Sequence, residues 1–254
     1  MSQPFISIIT INYNNKEGLA RTIETVIKQT VSNYEYIIID GGSTDGSTDI
    51  IREQQAKLTW WVSEKDKGIY DAMNKGIQKA SGNYLLFLNS GDSFATTTVL
   101  ATFAEALSGN QYDIIYGNAI VNKTIRYNPF PLSIFNILTY GICHQALFLK
   151  KELFAKAGLY DTSYKIVADS CHLMLCVVRH NATSFYIDNI IAELEPDGTS
   201  TVSITENRKE RQRFMNKELP AIAADYEKLL AYYKKDYLQR AKKFIKRKFK
   251  GNKI

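Results

Sequence analysis

Three aspartates in this sequence stand where a buried apolar run gives way to a polar loop or to the start of a helix. Asp40 follows Tyr36-Ile37-Ile38-Ile39, Asp92 ends the loop Asn89-Ser90-Gly91-Asp92, and Asp169 begins an apolar helical segment. A carboxylate at the carboxyl edge of an α/β sheet can meet a metal ion or a phosphate-bearing ligand, and a positioned carboxylate can act as a general base. Each aspartate also has a purely structural explanation, because Asp is common in turns and helix caps.

The loop after Asp40 reads Asp40-Gly41-Gly42-Ser43-Thr44-Asp45-Gly46-Ser47. Its two adjacent glycines would let a ligand approach the backbone closely. The GxGxxG pattern of dinucleotide-binding loops and the GxxxxGK[ST] pattern of P-loops are both missing, which argues against those two kinds of phosphate site. The loop therefore indicates either a capped turn or a place where Asp40 accepts hydrogen bonds from the base or ribose of a nucleotide.

His144 and Asp169 are ambiguous from their residue types alone. His144-Gln145 opens a short predicted strand, and a histidine there is either a structural residue or a catalytic one. Asp169 follows Ala168 at the start of a helix, where it is either an N-terminal cap or a functional acid.

The stretch from Gly68 to Asp92 predicts the elements that position Asp92. Apolar residues recur there at three- and four-residue spacing, which is typical of one buried helix face, and Ser81-Gly82 ends that helix. Tyr84 to Leu88 is a continuous apolar run, as expected for a central strand that is covered on both faces. Asp92 would then lie in a loop at the carboxyl edge of the sheet.

Strands alternate with helices along most of the chain, which predicts an α/β fold with a parallel sheet and right-handed crossovers. A long helical region follows and is broken near Pro220. The predicted strands are Phe5 to Ile11, Tyr36 to Ile39, Leu58 to Val62, Tyr84 to Leu88, Asp113 to Tyr116, Ala146 to Leu149 and Ser184 to Ile191.

The composition is that of a soluble globular protein, with 45% hydrophobic and 23% charged residues among 254. No apolar run reaches the roughly 20 residues of a membrane span, and the N-terminus lacks signal-peptide features, so a cytoplasmic location is expected. Cys143, Cys171 and Cys176 form no CxxC pair and are expected to be reduced core thiols.

The basic character belongs to the C-terminus. Residues 234–254 carry a net charge of +9, which leaves −3 of the overall +6 for the remainder, so nucleic-acid binding is not expected. An apolar stripe at helical spacing runs through the same region. It indicates either a helix packed on the catalytic domain or an interfacial helix at the inner face of the cytoplasmic membrane. The stripe comprises Leu230, Tyr233, Tyr237, Ala241, Phe244, Ile245 and Phe249.

Taken together, these segments resemble glycosyltransferase family 2, the inverting GT-A enzymes, and in particular its bacterial exopolysaccharide branch of colanic-acid type. The resemblance covers about residues 5–202 and rests on several motifs in the right order. It implies a GT-A domain over 1–202, with a Rossmann-like, mostly parallel central sheet flanked by helices, and a basic helical extension over 203–254. The motifs are SIITINYN, DGGSTDGS, SEKDKGIYDAMNKGI, LNSGD, HQALF and VADS.

The resemblance also implies the ligands and the roles of individual residues. The donor would be a nucleotide-diphosphate sugar, the acceptor a glycan or lipid-linked glycan in surface polysaccharide synthesis, and the cofactor Mg²⁺ or Mn²⁺. Asp169 would be the general base, and Asp92 with Asn89 would hold the metal ion at the diphosphate, because an inverting displacement needs a base and a cation for the leaving group. The implied donor-binding residues are Thr10, Asn12, Asp40, Asp71, Asn74, His144 and Gln145.

Two positions depart from the family pattern. The loop that ends in Asp92 retains only the last carboxylate of an Asp-X-Asp-Asp run, which should weaken metal binding, and Ala168 replaces the Glu of a Glu-Asp pair. A non-catalytic sugar-nucleotide-binding subunit of a polysaccharide assembly complex is therefore an alternative. A nucleotidyltransferase is a third, although it would require a glycine-rich loop where this chain has Asn12-Tyr13-Asn14-Asn15.

Overall fold

The computed structural model describes residues 5–109, 111–195, 204–229, 231–233 and 235. The chain divides into two compact units, Met1–Ser203 and Ile204–Ile254. The predicted boundary at residue 202 and nearly all of the basic segment 234–254 lie outside the described residues. The interfacial-helix prediction therefore stays a prediction.

The first unit alternates strands with helices, and the predicted α/β fold is confirmed. Its strands are β1 (Ile6–Asn12), β2 (Tyr34–Asp40), β3 (Trp60–Ser63), β4 (Tyr84–Phe87), β5 (Ser93–Phe94), β6 (Ile114–Val121), β7 (Thr124–Arg126), β8 (Leu147–Lys150) and β9 (Ser184–Leu194). Its helices are α1 (Lys16–Ile27), α2 (Ser47–Gln54), α3 (Ile69–Lys79), α4 (Val99–Leu107), α5 (Ile134–Tyr140), α6 (Glu152–Ala157) and α7 (Ala168–Arg179). The second unit contains α8 (Ile204–Glu218), followed by helical residues 220–229.

Within the described residues the strands form one nine-stranded sheet in the order β3-β2-β1-β4-β8-β6-β9-β5, with β7 paired to β6 outside this path. The strands β3, β2, β1 and β4 are parallel, as the alternation predicts. The next strand, β8, runs antiparallel to both of its neighbours, whereas β6 and β9 are parallel to each other. Consequently β1 to β4, β6 and β9 all end at one edge of the sheet, and β8 begins there.

Helices cover both faces of this sheet. Ile6 and Ile8 of β1 pack in the same buried cluster as Leu19 of α1, while Ile9 faces the opposite side. There α3 lies so close that a Cβ at Gly76 would be 2.5 Å from Cγ2 of Ile9. This close packing fixes α3, and with it the loop before its first turn, against the carboxyl half of β1.

Two further predictions concern the cysteines and the membrane. All three cysteines are buried free thiols, as predicted. Among the residues described, no helix combines the length and apolar character that a bilayer crossing requires.

Candidate active site

The carboxyl ends of the strands surround a cavity of about 520 Å³. A larger cavity of about 740 Å³ is lined by residues that include Gly82 and Lys151, but none of the candidate site residues lines it. The smaller cavity is therefore the candidate site. Of the predicted residues, it is lined by Asn12, Asn89, Asp92, His144, Gln145 and Asp169.

Asp169 lies at the cavity wall in the first turn of α7. Its Oδ1 accepts a hydrogen bond of 3.0 Å from the hydroxyl of Tyr70, and its Oδ2 is 3.1 Å from Nδ1 of His144. Val167, not Asp169, occupies the N-cap position of α7. The aspartate therefore bonds to side chains of two other elements, which the capping explanation does not account for.

The direction of β8 explains why His144 reaches Asp169. Because β8 is antiparallel to β4, the short 3₁₀ turn His144–Ala146 before it lies at the edge where β4 ends. The two side chains are largely buried, with exposed fractions of 21% for His144 and 16% for Asp169. Charges in such surroundings are screened less than surface charges.

The pKa values of this pair move in opposite directions. Burial alone would raise the pKa of Asp169, but the hydrogen bond and charge of His144, helped by Tyr70, lower it overall. Burial would lower the pKa of His144, but its bond to Asp169 and that residue's charge raise it overall. Both shifts favour a charged pair of imidazolium and carboxylate.

We expect His144→Gln to destabilise the fold by about 1 kcal/mol in mildly acidic solution, because a hydrogen bond between two charged groups becomes one between a neutral amide and the Asp169 carboxylate. The stabilisation from His144 is present below its unfolded-state pKa of about 6.5 and is lost as the pH rises through its raised folded-state value. The stabilisation from Asp169 is present above its unfolded-state pKa of about 3.9 and is lost as the pH falls through its lowered folded-state pKa. Urea denaturation at about pH 5.5 and about pH 9 should give a larger difference at the lower pH. An equal difference at both would contradict the charged pair.

Asp92 lies in a tight turn in which its backbone N–H donates to the carbonyl of Asn89 over 2.9 Å. The carboxylate is buried, and it accepts hydrogen bonds from Nε2 of Gln145 at 2.9 Å and from the backbone N–H of Glu195 at 3.1 Å. Burial raises its pKa in spite of these two bonds. Since each carboxylate oxygen has two lone pairs, both oxygens keep one for a ligand.

Asn89 supplies a second oxygen at this turn. Its Oδ1 is buried without a hydrogen-bond partner, while its Nδ2 is 3.3 Å from Nε2 of His144. A cation would satisfy this oxygen, and so would the Nε2–H of a protonated His144 if the amide turned by half a rotation. The described residues contain no group of three or more His, Cys, Asp or Glu side chains arranged for a metal ion. The two oxygen donors are nevertheless of the type that Mg²⁺ and Mn²⁺ accept beside phosphate oxygens and water.

Glu195 is a carboxylate of the cavity that sequence reasoning missed. It follows β9, and its Oε2 accepts a 3.0 Å hydrogen bond from Asn15 while Oε1 pairs with Arg21. Gly91 has a φ of 101°, and a Cβ there would lie 2.0 Å from Oε2 of Glu195. The glycine that breaks the acidic run therefore provides the space that Glu195 occupies.

Asp40 holds its own loop together. Its two oxygens accept hydrogen bonds from Asn12, Ser63 and both the backbone and side chain of Ser43, at 2.6 to 2.9 Å, with a longer bond from Gly42. Burial would raise its pKa, but these donors lower it overall. Asp40 thus orients Asn12, whose Oδ1 is buried at the cavity without a partner.

Four predicted donor-binding residues do not line the cavity, namely Asp40, described above, and Thr10, Asp71 and Asn74. Thr10 is buried in the sheet and donates to the carbonyl of Leu88 over 2.8 Å. Both polar atoms of the Asn74 side chain bond to the backbone of Tyr160, and Asp71 accepts from the backbone N–H of Lys67 over 3.0 Å. Their polar groups serve the fold, so the geometry gives no support to a direct donor contact.

Several residues that line the cavity are not predicted as site residues from the sequence. Tyr13 has 67% of its surface exposed beside the cavity, and Asp66 stands where a Cβ on Gly41 would be 2.5 Å from its Oδ2. The close approach that Gly41 permits is therefore made by Asp66. The other unpredicted lining residues with polar side chains are Asn15, Tyr70, Ser90, Asn122, Arg126, Lys165 and Glu195.

The family model for Glycosyl transferase family 2 matches residues 7–176. An uncharacterized glycosyltransferase of Mycobacterium tuberculosis is 39% identical over 175 residues, which cover 66% of this chain and 67% of the relative. A second relative from that organism, a PGL/p-HBAD biosynthesis glycosyltransferase, is 31% identical over 204 residues, 78% of this chain and 79% of the relative. These names support the family and do not specify the colanic-acid-type branch.

Two solved structures have a similar fold. Residues 1–349 of S. aureus TarS in complex with UDP-GlcNAc superpose with a TM-score of 0.69 at 17% identity, over 83% of this chain and 64% of that one. The mannosyltransferase PcManGT from Pyrobaculum calidifontis, in complex with GDP-Man and Mn²⁺, gives a TM-score of 0.60 at 16% identity, over 85% of this chain and 63% of that one. The chain thus spans slightly less than two thirds of either structure.

Proposed function

Because this chain is a glycosyltransferase that belongs to glycosyl transferase family 2, we propose that it transfers a sugar with inversion from a nucleotide-diphosphate sugar to a hydroxyl group of a glycan acceptor. The observation that carries the proposal is the carboxylate of Asp169, held between Tyr70 and His144 in the wall of the cavity that Asp92 also lines. One carboxylate is thereby available as a base, and a second lines the same cavity and is available for the leaving group.

The reaction is a single displacement at the anomeric carbon of the donor sugar. Asp169 takes the proton of the acceptor hydroxyl as its oxygen bonds to the anomeric carbon, and the bond from that carbon to the diphosphate breaks. The diphosphate leaves with the electron pair. The lowered pKa of Asp169 means that the carboxylate is ionised before the acceptor binds, as a proton acceptor must be, although the same shift makes it a weaker base.

Asp92 and Asn89 would hold the divalent ion. The uncommitted lone pairs of the Asp92 carboxylate support this assignment, and so does Oδ1 of Asn89, which keeps a free lone pair even if it accepts a hydrogen bond from His144. When bound, Mg²⁺ or Mn²⁺ supplies positive charge that stabilises the departing diphosphate. Gln145 fixes the orientation of Asp92 through the hydrogen bond from its amide.

The donor nucleotide would lie toward the ends of β1 and β2. The partnerless Oδ1 of Asn12 can accept a hydrogen bond from an N–H or O–H group of the base or ribose. Tyr13 presents an exposed ring beside it, on which a base can stack. In this arrangement Asp40 contributes indirectly, by orienting Asn12.

The acceptor that we propose is a glycan or lipid-linked glycan in bacterial surface polysaccharide synthesis. The sequence motifs shared with the exopolysaccharide branch support this class, and so does the basic amphipathic segment at the C-terminus.

A thermal-shift screen of UDP-, GDP- and dTDP-sugars tests the donor half of the proposal. A ligand that binds only the native state and is present at about 100 times its Kd stabilises that state by about 2.7 kcal/mol. We expect one nucleotide series to raise the melting temperature, and the free nucleoside diphosphate of that series to retain part of the effect. The anomeric configuration of the product, measured by NMR, then tests inversion.

Three outcomes would contradict the proposal. Retention of configuration would exclude the single displacement. Donor binding without transfer to any glycan acceptor would favour the non-catalytic binding subunit. If no nucleotide sugar stabilises the protein, the donor site itself is wrongly assigned.

A further inference from the structure

Two basic side chains line the cavity, and the proposed reaction uses neither of them. Arg126 is the last residue of β7, and Lys165 belongs to the loop before α7. Among the described residues that line the cavity, these two alone are Lys or Arg. A cation in the wall of a binding cavity raises the question of which anion it meets.

The register of the sheet turns Arg126 toward the cavity. Arg126 pairs with Ala119 of β6, so its side chain lies on the same face of the sheet as that of Val121, two residues further along β6. Val121 lines the cavity, and so does its partner on β9, Leu194. Three neighbouring strands thus present one basic and two apolar side chains to the same side of the cavity.

The guanidinium of Arg126 is fixed by one hydrogen bond. Its Nη2 donates to the carbonyl of Tyr140, the last residue of α5, over 2.9 Å. The other N–H groups of the guanidinium are not used by this bond, and they form a planar fork. Such a fork binds two oxygens of a phosphate or carboxylate group at once.

The acids of this region do not pair with that guanidinium. Among the described residues, none forms an ion pair with it. Glu193 precedes Leu194 on β9, so its side chain points to the opposite face of the sheet, and Asp188 accepts hydrogen bonds from Asn118 and Tyr186. The acids of the cavity wall, which accept hydrogen bonds from other residues, are Asp66, Asp92, Asp169 and Glu195.

Arg126 lies on the side of the cavity that holds the proposed base. Because β9 pairs along one side of β6, both β7 and β8 lie on its other side. Since β8 runs antiparallel to β6, the chain just before β8 extends toward β7. Burial raises the pKa of the Cys143 thiol there, and the charge of Arg126 opposes that rise. Arg126 is therefore close to the chain beside His144, which contacts Asp169.

The residues proposed for the metal ion lie on the other side of His144. Its Nε2 is next to Asn89, whereas its Nδ1 is next to Asp169. Asp92 is joined to the end of β9 by a backbone hydrogen bond, and β9 is two strand spacings, or about 10 Å, from β7. An anion held by Arg126 would thus lie on the side from which the acceptor reaches the base, away from the departing diphosphate.

We propose that Arg126 selects an acceptor that carries an oxyanion, a phosphate or a carboxylate group, close to the hydroxyl that reacts. This inference rests on the proposed function and specifies the acceptor of that reaction. Lys165, four residues before Asp169, adds a second positive charge to the same side of the cavity. A lipid phosphate joined to the acceptor sugar and the carboxylate of a uronic acid share this chemistry.

Matched acceptors that differ in charge test the inference. For glucose, galactose and mannose, the neutral octyl glycoside is compared with the octyl uronoside, which adds a carboxylate, and with the hexosyl octyl phosphate, which adds a phosphate. Saturation-transfer NMR measures binding to the full chain while the nucleoside diphosphate found by the thermal-shift screen and Mn²⁺ occupy the donor site. Initial rates of transfer from the corresponding donor give kcat and KM.

We expect one anionic series to be favoured over the neutral one by about tenfold or more in kcat/KM. Arg126→Gln should reduce this preference by about tenfold, chiefly through KM, because charge-assisted hydrogen bonds to the bound acceptor are lost. Arg126→Lys should retain part of the preference, since the charge remains and the fork does not. Arg52→Gln is the matched control and should keep the wild-type preference, because Arg52 is 61% exposed on α2 and pairs with Asp49.

Three results would overturn the inference. Wild type would bind and use the charged and neutral glycosides equally, or bind none of them. Arg126→Gln would lose both series to the same extent, which would make the arginine a structural residue. Calorimetry would show that Arg126→Gln weakens donor binding while the preference persists, which would move the guanidinium to the donor diphosphate.

Failure of the proposed reaction is distinguishable from failure of this inference. Binding of an anionic glycoside that depends on Arg126, without transfer of any sugar, would count against the reaction and leave the anion site standing. Efficient transfer to neutral glycosides with no preference for charge would do the reverse. Donor-induced stabilisation like that of wild type would show that the Arg126 variants are folded.

Discussion

Replacement of Asp169 by asparagine is expected to lower the turnover number by about 10²-fold or more, the usual contribution of a positioned general base. The amide has the same shape and can accept one of the two hydrogen bonds through its oxygen, while its NH2 group can donate to the other partner, either Nδ1 of a neutral His144 or the hydroxyl oxygen of Tyr70, so the fold and the donor affinity should be retained. Steady-state kinetics with the donor found by the thermal-shift screen measure the loss. Titration calorimetry measures the donor affinity in the same preparation.

Asp49→Asn is a matched control for this experiment, because Asp49 is 65% exposed on α2 and pairs only with Arg52 among the contacts described for it. Turnover of the Asp169→Asn variant within a few-fold of wild type would remove Asp169 from the role of base. Equal losses of turnover and of donor-induced stabilisation would instead indicate that the carboxylate organises the cavity.

Replacement of Asp92 by asparagine should weaken donor binding by about 10- to 100-fold, because interactions made by a buried charged group contribute about 1.5–3 kcal/mol. Wild-type donor affinity should fall when the divalent ion is chelated, and the variant should no longer respond to the chelator. Calorimetric titrations with and without Mn²⁺ provide both comparisons. If wild-type affinity is the same in both conditions, the ion is dispensable and the loss of the acidic run has a functional consequence.

Asp71→Asn belongs in the same series, because the resemblance implies donor binding by Asp71 while its side chain bonds to the backbone of Lys67. A donor affinity like that of wild type would limit the donor site to residues that line the cavity. A loss comparable to that of Asp92→Asn would show that the loop before α3 reaches the donor.

Local sequence patterns predict the elements around the site well. The apolar stripe between Ile69 and Ala80 correctly predicts α3, and the apolar run from Tyr84 correctly predicts β4. Both signals, the spacing of apolar residues and the Ser81-Gly82 pair that ends the helix, extend over only a few residues of sequence. The loop that ends in Asp92 follows directly from these two elements. The position of Asp169 at the start of α7 is predicted in the same way.

The partners of the site residues are harder to predict, because they depend on pairing between distant strands. The backbone N–H of Glu195, at the end of β9 and more than a hundred residues along the chain, donates to the carboxylate of Asp92. No local sequence pattern predicts that contact. Thr10 lies two residues before Asn12 on β1. Its hydroxyl donates to the carbonyl of Leu88 and does not line the cavity, whereas Asn12 does. Proximity in sequence to a binding residue therefore does not ensure access to the ligand.

The reversed strand β8 has a consequence for how such a chain can diversify. The position of His144 is set by the register of the strand that follows it, in which Leu147 pairs with Tyr116 and Leu149 with Leu85. As long as the backbone N–H of Cys143 keeps its 3.0 Å hydrogen bond to Oδ1 of Asn128, the rest of the segment before His144 can change in length and composition without displacing the histidine from Asp169. Insertions and exchanges between β6 and β8 then alter the side of the cavity that Asn122 and Arg126 line, while the half of the cavity built on β1 and β2 stays constant.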